Sequence, residues 1–425
     1  CVYHLQMSYL KDGVNLLRQK KSLFHDVNCT CNCQLCQGEH TGKCNANTYV
    51  YNSISNILET ILCPRGVDAS FHHYKCVMGT CSECGPSLLQ WCPKELNSTT
   101  TLIPVKLFQD VETSYEGKVR KRKDLVKKLI TSRELYDLFM KSLEKYIKHN
   151  FIYLWQANQF KSSISDFPND VVISVVDFAE NYTLKEQNEI QSMHWWSVQV
   201  TIFVHITYYR IDGDVKKVIH FFISDDKQHD TLFVQHCFTL HWQWLKNLGI
   251  ELKHHWVWSD GAASQFKAKR PFYFVGRYPS ITGLTMTWNF FESGHGKGEH
   301  DGAGAVIKRA LTHEQLKADG VPLKCARDIV MYLREHFTLG VHAVYSSTQV
   351  RDTRPVYSST QVRDTRRVFW EVGIDEVKRD ISWDCHPIPN LRQVHSVRGF
   401  WETNGHCIGV RQLSCFCYEC IQGKW

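Results

Sequence analysis

The stretch DVVISVVDF, residues 170–178, places the strongest constraint on how this chain can fold. Its apolar residues form a continuous and mostly β-branched run, which is typical of a strand buried on both faces of a sheet. Such a sheet needs covering layers on both sides, so the stretch predicts an α/β core. Asp177 directly follows the apolar run, and its carboxylate is therefore expected at the end of the buried strand.

The segments after this strand predict a particular order of strands and helices. Two more strands are predicted over 198–209 and 215–226, and the Asp-Gly between them is typical of a tight hairpin. The elements predicted next are a helix over 231–250, a strand over 254–260, a short helix in the 260s and 270s, a strand over 283–291 and a helix over 303–318. Three antiparallel strands followed by strands with crossover helices make a mixed sheet.

This order is the one found in ribonuclease H-like folds. In that arrangement the first and fourth strands are neighbours, so their ends bring Asp177 and Asp260 together. Two adjacent carboxylates repel each other unless a divalent cation neutralises them, and Gly261, Ala262 and Ala263 leave room for a cation and a substrate. The alternative is that Asp260 only caps the helix that follows it, in a common Asp-Gly turn.

Three segments of this region resemble transposon-derived proteins of animal genomes: VVDFAENY, WSDGAASQFK and FFESGHGKGEHDGAGAVIKRA. That family is DDE-type transposase-like, with a ribonuclease H-like core and Cys/His-rich flanks, and the resemblance extends over roughly residues 70–420. It implies metal-dependent DNA strand cleavage and strand transfer, in which Mg²⁺ (or Mn²⁺) activates water and then a 3′-hydroxyl. Carried onto this chain, the catalytic and metal-binding triad is Asp177, Asp260 and Asp301.

The third acid of the triad is the one that the sequence leaves open. Asp301 opens the last predicted helix, where the helix N-terminus stabilises a negative charge. Gly302 and Gly304 are expected to let that helix pack close against the sheet. The alternatives are Glu292, at the end of the last strand, and Glu299, in the glycine-rich segment before the helix.

Basic residues around these acids are candidate contacts to the DNA backbone. The predicted nucleic-acid-binding residues are Lys267, Lys269, Arg270, Lys297 and Lys308. For those that follow Asp260, a solvated helix face is the alternative. His295 and His300 could assist proton transfer or make structural hydrogen bonds. The glycine-rich segment lacks the spacing of a nucleotide-binding P-loop, so ATP binding is not expected.

Two other function classes compete with transposition. An exonuclease of the same fold would open with Asp-x-Glu, whereas this chain has two residues between Asp177 and Glu180, which disfavours that class. The chain could also be a catalytically inactive, transposase-derived protein that binds DNA or another protein.

The 18 cysteines are concentrated near the two ends of the chain, and only Cys237 and Cys325 lie between residues 92 and 385. Cys-x2-Cys pairs fit the tetrahedral reach of one zinc ion, so two structural Zn²⁺ regions are predicted. The proposed ligands are Cys76, Cys81, Cys84, Cys92, Cys415, Cys417 and Cys420. His40, His72 and His73 are possible fourth ligands, with surface positions as the alternative. A secreted disulfide framework is the alternative, but such proteins usually carry cysteines throughout.

A basic stretch and a helix connect the first cysteines to the α/β region. KVRKRKDLVKK, residues 118–128, could contact phosphates, serve as a nuclear localisation signal or form a solvated charge run. The net charge of +7 permits a polyanionic partner without requiring one. A helix is predicted from Thr131, with Glu134 completing a capping box, and its apolar stripe is expected to pack in a core.

Four regions follow from these patterns. They are a Cys-rich zinc-binding region at 1–100, a basic and helical connecting region at 101–168, a ribonuclease H-like catalytic core at 169–322 and a C-terminal region at 323–425. The last region holds VYSSTQVRDTRP and then VYSSTQVRDTRR, which indicates a recent duplication. No apolar run approaches the ~20 residues of a membrane helix, so no membrane partner is expected. The expected partners are DNA at transposon ends and, in a homo-oligomer, further copies of the chain, with a nuclear location.

Overall fold

The computed structural model describes residues 1–19, 51–66, 69–89, 96, 102–115, 118–184, 198–296, 298–337, 366–380, 388–402 and 405–425. The predicted zinc ligand Cys92, the predicted DNA contact Lys297 and the internal repeat up to residue 365 lie outside these residues. The chain forms two compact units, Cys1–Trp155 and Gln156–Trp425, which we name unit 1 and unit 2.

Unit 1 contains helices and a long β-hairpin. Its helices are α1 (Val2–Gln19), α2 (Ile54–Ile61), α3 (Tyr74–Val77) and the first part of α4 (Ser132–Ser165), and its strands are β1 (Leu102–Tyr115) and β2 (Lys118–Thr131). The strands pair antiparallel along their whole length. Ile103, Val105 and Leu107 alternate along β1 and are buried, so they give the hairpin one apolar face.

The basic stretch at 118–128, expected in a connecting region, lies within β2. Two of its lysines form ion pairs with acids of β1: Lys123 with Asp110 at 3.0 Å and Lys121 with Glu112 at 3.4 Å. Exposed pairs of this kind contribute little to stability. The strand conformation of this stretch therefore depends on its backbone pairing with β1 and on that strand's apolar face.

The predicted start of the long helix α4 is confirmed. Thr131 Oγ1 accepts a hydrogen bond from the backbone N–H of Glu134 at 3.3 Å, and the Glu134 carboxylate accepts one from the N–H of Thr131 at 3.0 Å. In the predicted apolar stripe, Leu135 and Leu143 are fully buried. Leu138 is 36% exposed, so its assignment to core packing is wrong.

Unit 2 has a mixed α/β structure built on a large sheet. Its strands are β3 (Val171–Thr183), β4 (Gln199–Ile211), β5 (Asp214–Ser224), β6 (His254–Ser259), β7 (Thr285–Phe290), β8 (Arg366–Glu371), β9 (Ser396–Glu402) and β10 (Gly405–Arg411). Its helices, besides the end of α4, are α5 (Thr231–Lys246), α6 (Lys269–Thr282), α7 (Glu299–Gln315), α8 (Ala326–His336) and α9 (Tyr418–Ile421). The strand order is β10-β9-β7-β6-β3-β4-β5-β8.

The pairing predicted for the first five strands of this sheet is confirmed. β3, β4 and β5 pair antiparallel in sequence order, β3 pairs parallel with β6, and β6 pairs parallel with β7. The predicted hairpin between β4 and β5 turns at Asp212 and Gly213, whose φ angles are 53° and 85°. Two positive φ angles in a two-residue loop are typical of a type I′ turn, which matches the twist of the strands.

The sheet extends beyond the core predicted at 169–322. β8 pairs parallel with β5 at one edge, and β9 pairs antiparallel with β7 at the other. Because an unpaired strand edge leaves backbone groups without partners, strands from the C-terminal region complete both sides of the predicted core. The C-terminal region therefore shares a sheet with that core.

Two apolar layers cover the sheet of unit 2. On one face, residues of β3–β7 pack with α5 and α6, and Trp244 and Tyr278 are among the buried side chains. On the other face, α7, α8 and the end of α4 pack around side chains such as Trp258 and Ile307. Fully burying a large apolar side chain stabilises a fold by roughly 1.5–3 kcal/mol. Among the described residues, no helix is long and apolar enough to cross a membrane.

Candidate metal centre

Asp177 and Asp260 occupy equivalent positions on two neighbouring parallel strands. β3 and β6 remain paired up to Val175 opposite Trp258, and each aspartate lies two residues further along the chain. Asp177 was expected at the end of its strand, but β3 continues to Thr183 and only β6 ends beside Asp260. Because the two strands run in the same direction, both carboxylates lie level where β6 ends. Burial raises the pKa of Asp260, and the charge of Asp177 raises it further.

Asp260 lies in a turn that small residues keep open. Its Oδ1 accepts a hydrogen bond from the N–H of Ala262 at 3.1 Å, as in a local Asx turn. A Cβ on Gly296 would lie 2.9 Å from the Cβ of Asp260, so a larger residue there would displace the aspartate. The next helix, α6, begins only at Lys269, so Asp260 does not cap it.

Asp301 lies in the first turn of α7. The helix begins at Glu299, four residues before its predicted start, because its polar first turn carries no apolar periodicity. Asp301 Oδ2 accepts a hydrogen bond from the backbone N–H of Gly298 at 2.9 Å, and this contact fixes the carboxylate at the helix N-terminus.

The packing of α7 brings Asp301 towards β3. A Cβ on Gly304 would lie only 3.2 Å from the Cβ of Ala179, so the helix approaches the strand closely at that glycine. Gly302 has no neighbouring atom within 4 Å of such a Cβ, so its predicted role in close packing is wrong.

His300 lies between the carboxylates of Asp177 and Asp301. Its Nε2 is 3.2 Å from Oδ2 of Asp177 and 3.4 Å from Oδ2 of Asp301. The side chain is 4% exposed, yet neither ring nitrogen has a hydrogen bond of good geometry to a described residue. One ligand atom from each of the three residues lies within 4.8 Å of the others, an arrangement that could hold a metal ion.

His300 was not predicted as a ligand. From the sequence, its expected role was proton transfer or a structural hydrogen bond. The signal available was its position directly before Asp301 in a glycine-rich segment. That signal is weak, because consecutive residues of a helix point in directions about 100° apart, and only the approach of β3 places His300 beside Asp177.

The two alternative third acids have other partners. A carboxylate oxygen of Glu292 lies 2.8 Å from Nε2 of His395, within hydrogen-bond distance, and both side chains are largely buried. Glu299 accepts hydrogen bonds from the hydroxyl of Tyr208 at 2.7 Å and from Nζ of Lys217 at 3.0 Å. Although burial opposes its charge, these bonds lower the pKa of Glu299. Both acids thus have partners outside the Asp177–His300–Asp301 group, although the charge of His300 also acts on Glu299.

Lys267, a predicted DNA contact, is buried. It is 7% exposed, and its Nζ donates a hydrogen bond to the carbonyl oxygen of Arg392 at 3.0 Å. Burial lowers its pKa to about 8, although the charge of Glu292 acts in the opposite direction. The Lys267 side chain also packs against the turn after Asp260, because a Cβ added to Gly261 would lie 3.4 Å from Cδ of Lys267.

The other predicted basic residues lie nearer to solvent. Lys269 and Arg270 are exposed at the start of α6, beside a cleft that Asp230 and Ser264 also line. Lys308 is half-buried on α7; burial lowers its pKa, while the charge of Glu180 acts to raise it.

Three of the predicted N-terminal cysteine ligands come together in unit 1. The sulfurs of Cys76, Cys81 and Cys84 cluster with that of Cys63, and all four lie within 4.8 Å of one another. The fourth member of this cluster is therefore Cys63, whereas the sequence predicted Cys92, which lies outside the described residues. Burial, followed by the neighbouring thiols, raises the pKa of Cys76 to about 12.

The predicted C-terminal cysteines also cluster. Cys415, Cys417 and Cys420 bring their sulfurs within 4.8 Å of one another, which could hold a metal ion. Burial raises the pKa of Cys415 to about 11, whereas the backbone N–H of Cys420 lowers that of Cys417. Arg411 Nη1 lies 3.2 Å from the sulfur of Cys420, so this thiol has a cationic neighbour.

One family model matches this chain. It is described as Domain of unknown function (DUF8701), and it matches residues 156–368, which is half of the chain. The match begins at the first residue of unit 2 and contains Asp177, Asp260 and Asp301. No curated protein and no solved structure matches the chain. The chain belongs to the family described as Domain of unknown function (DUF8701).

Proposed function

We propose that this chain is a DDE-type transposase-like protein that cleaves DNA strands and transfers them in a metal-dependent reaction. The observation that carries the proposal is the meeting of Asp177 and Asp260 at one edge of the sheet, level in register, with Asp301 and His300 facing Asp177. A transposon origin rests on the resemblance of the three sequence segments that contain these acids.

The strand order supports a ribonuclease H-like core. β5-β4-β3-β6-β7 has three antiparallel strands followed by two parallel ones, with the first and fourth adjacent. In open α/β sheets, ligands bind outside the carboxyl ends of parallel strands where the strand order reverses. The acids lie at that position, between β3 and β6.

The residues present fit a divalent cation such as Mg²⁺ or Mn²⁺. Asp177 and Asp301 supply carboxylate oxygens, which these ions prefer, and His300 supplies a nitrogen that lacks a hydrogen bond among the described residues. Asp260 is outside this close group, but it lies level with Asp177 on the neighbouring strand, where its carboxylate would complete the site. When bound, the ion would lower the pKa of water or of a 3′-hydroxyl and stabilise charge on the phosphodiester. The carboxylates would hold it, and the turn kept open by Gly296 would admit the DNA.

Two surfaces could carry the DNA. Lys269 and Arg270 lie at the start of α6, on the chain segment that follows Asp260, and would contact phosphates near the cleavage site. The hairpin of unit 1 is the second surface, because its strand β2 holds seven bases and one acid. A nuclear location and assembly of further copies on transposon ends belong to the same proposal.

Neutralising the hairpin's unpaired lysines is expected to weaken DNA binding. Lys127 and Lys128 are exposed and, within the described part of the chain, make no ion pair. The double substitution Lys127→Gln and Lys128→Gln should reduce the slope of log K against log salt by up to about 1.8, since each phosphate contact contributes about 0.9. Fluorescence anisotropy with labelled duplex DNA at several salt concentrations measures this slope.

The matched control for the hairpin is Lys121→Gln with Lys123→Gln, because these two lysines already pair with Glu112 and Asp110. This variant should change the slope less. If neither double variant alters the salt dependence, β2 is a solvated charge run.

The direct test of the proposed function is cleavage of DNA that bears the terminal repeats flanking the gene. The purified chain should nick or cut this DNA in Mg²⁺ or Mn²⁺ and not in EDTA. Cleavage products should carry a 3′-hydroxyl, which end-labelling detects. Specific binding to the repeats without cleavage in either metal would favour the inactive, DNA-binding alternative over the enzyme.

A further inference from the structure

We propose that Cys63, Cys76, Cys81 and Cys84 form a closed, four-thiolate zinc site in unit 1. Their sulfurs all lie within 4.8 Å of one another, and the sulfurs of Cys63 and Cys81 are 3.9 Å apart. The site is distinct from the carboxylate group of unit 2, and it does not depend on the proposed transposase activity.

The sulfur distance fits thiolates around one zinc ion. A Zn–S bond is about 2.3 Å long, so two sulfurs on a regular tetrahedron lie about 3.8 Å apart. The 3.9 Å between Cys63 and Cys81 matches that value. A disulfide would require about 2.05 Å, so this pair is not arranged as an oxidised bridge.

The backbone around the cysteines is built to converge on one point. Cys63 follows the end of α2. The backbone N–H of Gly85 donates a hydrogen bond to the carbonyl oxygen of Ile61 at 2.8 Å, and this bond holds the adjacent Cys84 against the end of α2. Gly79 and Gly85 have φ angles of 73° and 145°, conformations that side chains rarely adopt. These two glycines let the chain reverse on each side of the Cys81–Cys84 turn.

The surroundings favour a structural role. Four cysteine ligands leave no open position for water or substrate, as in structural zinc sites. His72, the further candidate ligand, instead uses Nδ1 to contact the carbonyl oxygen of Cys63 at 3.0 Å. A side-chain contact of this kind orients a ligand without binding the ion.

The segment around the site has little apolar core of its own. Ile57, Leu58 and Ile61 of α2 are buried, with Cys76 and Val77 of α3. A segment this short buries too little surface to fold independently, and in such cases metal binding supplies folding free energy.

The site would also fix an aromatic contact to α4. Within unit 1, the Phe71 ring lies 5.3 Å from that of Trp155, and the Tyr74 ring lies 6.2 Å from that of Phe151. Phe71 and Tyr74 precede Cys76 in sequence, so zinc would order the aromatic residues that pack on α4.

The decisive comparison is Cys63→Ser against Cys92→Ser, in the full-length chain purified under reducing conditions. Mass spectrometry of metal content should show that Cys63→Ser loses one zinc equivalent relative to the parent chain, while Cys92→Ser and the control Cys325→Ser keep it. After substitution with Co²⁺, the intense sulfur-to-cobalt absorption of Cys63→Ser should be lower than that of the parent chain, whereas Cys92→Ser and Cys325→Ser should match the parent chain.

Alkylation of the unsubstituted chain gives a readout that does not depend on a variant folding. Iodoacetamide should modify Cys63, Cys76, Cys81 and Cys84 slowly until a chelator is added, as mapped by peptide mass spectrometry. The proposal is overturned if Cys63 reacts equally fast with and without chelator, or if Cys92→Ser loses the zinc equivalent and Cys63→Ser does not.

Discussion

Replacing Asp260 by Asn is expected to lower metal-dependent DNA cleavage by about a thousandfold. A bound metal ion supplies several kcal/mol of transition-state stabilisation, and each 1.4 kcal/mol corresponds to about tenfold in rate. Asp260 lies level with Asp177 on the neighbouring strand, so its carboxylate is placed to share a cation with that residue. The rate is measured on end-labelled DNA with Mn²⁺ and with Mg²⁺.

The loss of activity should not come from loss of folding. Burial and the neighbouring charge of Asp177 both raise the pKa of Asp260, so the ionised side chain is disfavoured in the absence of a cation. The neutral amide should therefore be at least as stable, which thermal denaturation without metal can show. A fall in melting temperature of many degrees would mean that Asp260 has a structural role instead.

The same series identifies the third acid. Asp301→Asn should reduce cleavage as strongly as Asp260→Asn, because Asp301 lies with Asp177 and His300. Glu292→Gln is the matched control, since Glu292 pairs with His395, and it should affect stability more than cleavage. Full activity of Asp301→Asn together with an inactive Glu292→Gln would contradict the assignment of Asp301.

The sequence predicted those parts of the fold that local patterns encode. The β-branched run of β3 and the Asp-Gly hairpin each carry a signal within a few residues, and the alternation of helices with strands predicted that β3 and β6 are neighbours. The approach of Asp177 to Asp260 followed from that adjacency.

Contacts between distant segments could not be predicted in this way. Cys63 lies thirteen residues before Cys76, and its place in the cluster depends on how α2 ends. The strands β8 and β9 join the sheet across long sequence separations, and their patterns do not specify which edge they pair with. Buried Lys267 illustrates the same limit, because a lysine after a strand is usually solvated.

Unit 2 is expected to lose most of its stability between about pH 6.5 and pH 5. His205, His220, His241 and His255 are all fully buried in it, and burial lowers the pKa of each. For His255 the pKa falls to about 3. The four histidines are therefore neutral in the folded unit throughout this pH range.

The neighbours of these histidines explain why protonation is resisted. Ser174 Oγ lies 2.6 Å from Nε2 of His205 and 2.7 Å from Nε2 of His255, so one hydroxyl serves two rings. If they were protonated, the rings of His205, His220, His241 and His255 would repel one another, and Arg366 would repel a charged His220. A proton on any ring would meet only repulsion from these groups.

The sign and size follow from proton linkage. In the unfolded chain a histidine has a pKa near 6.5, so below that pH the unfolded state binds protons that the folded state does not. The stabilising effect of a lowered histidine pKa is complete above pH 6.5 and is lost as the pH falls. Each histidine costs about 1.4 kcal/mol per pH unit, so four together cost about 5.5 kcal/mol per pH unit. From pH 6.5 to pH 5 the loss is about 8 kcal/mol, which is comparable to the whole stability of many domains.

Urea denaturation followed by tryptophan fluorescence, at pH 7.5 and at intervals down to pH 5, measures this dependence, since Trp258 and Trp288 are buried in unit 2. His241→Gln should lower the slope of the unfolding free energy against pH by about 1.4 kcal/mol per pH unit, the contribution of one proton. The substitution deletes one of the four buried rings and keeps a side chain that can bond Thr207. His313→Gln, at an exposed position, should leave the slope unchanged. A free energy of unfolding that stays constant from pH 7.5 to pH 5 would contradict the prediction, because it would show that these histidines bind protons as readily in the folded chain as in the unfolded one.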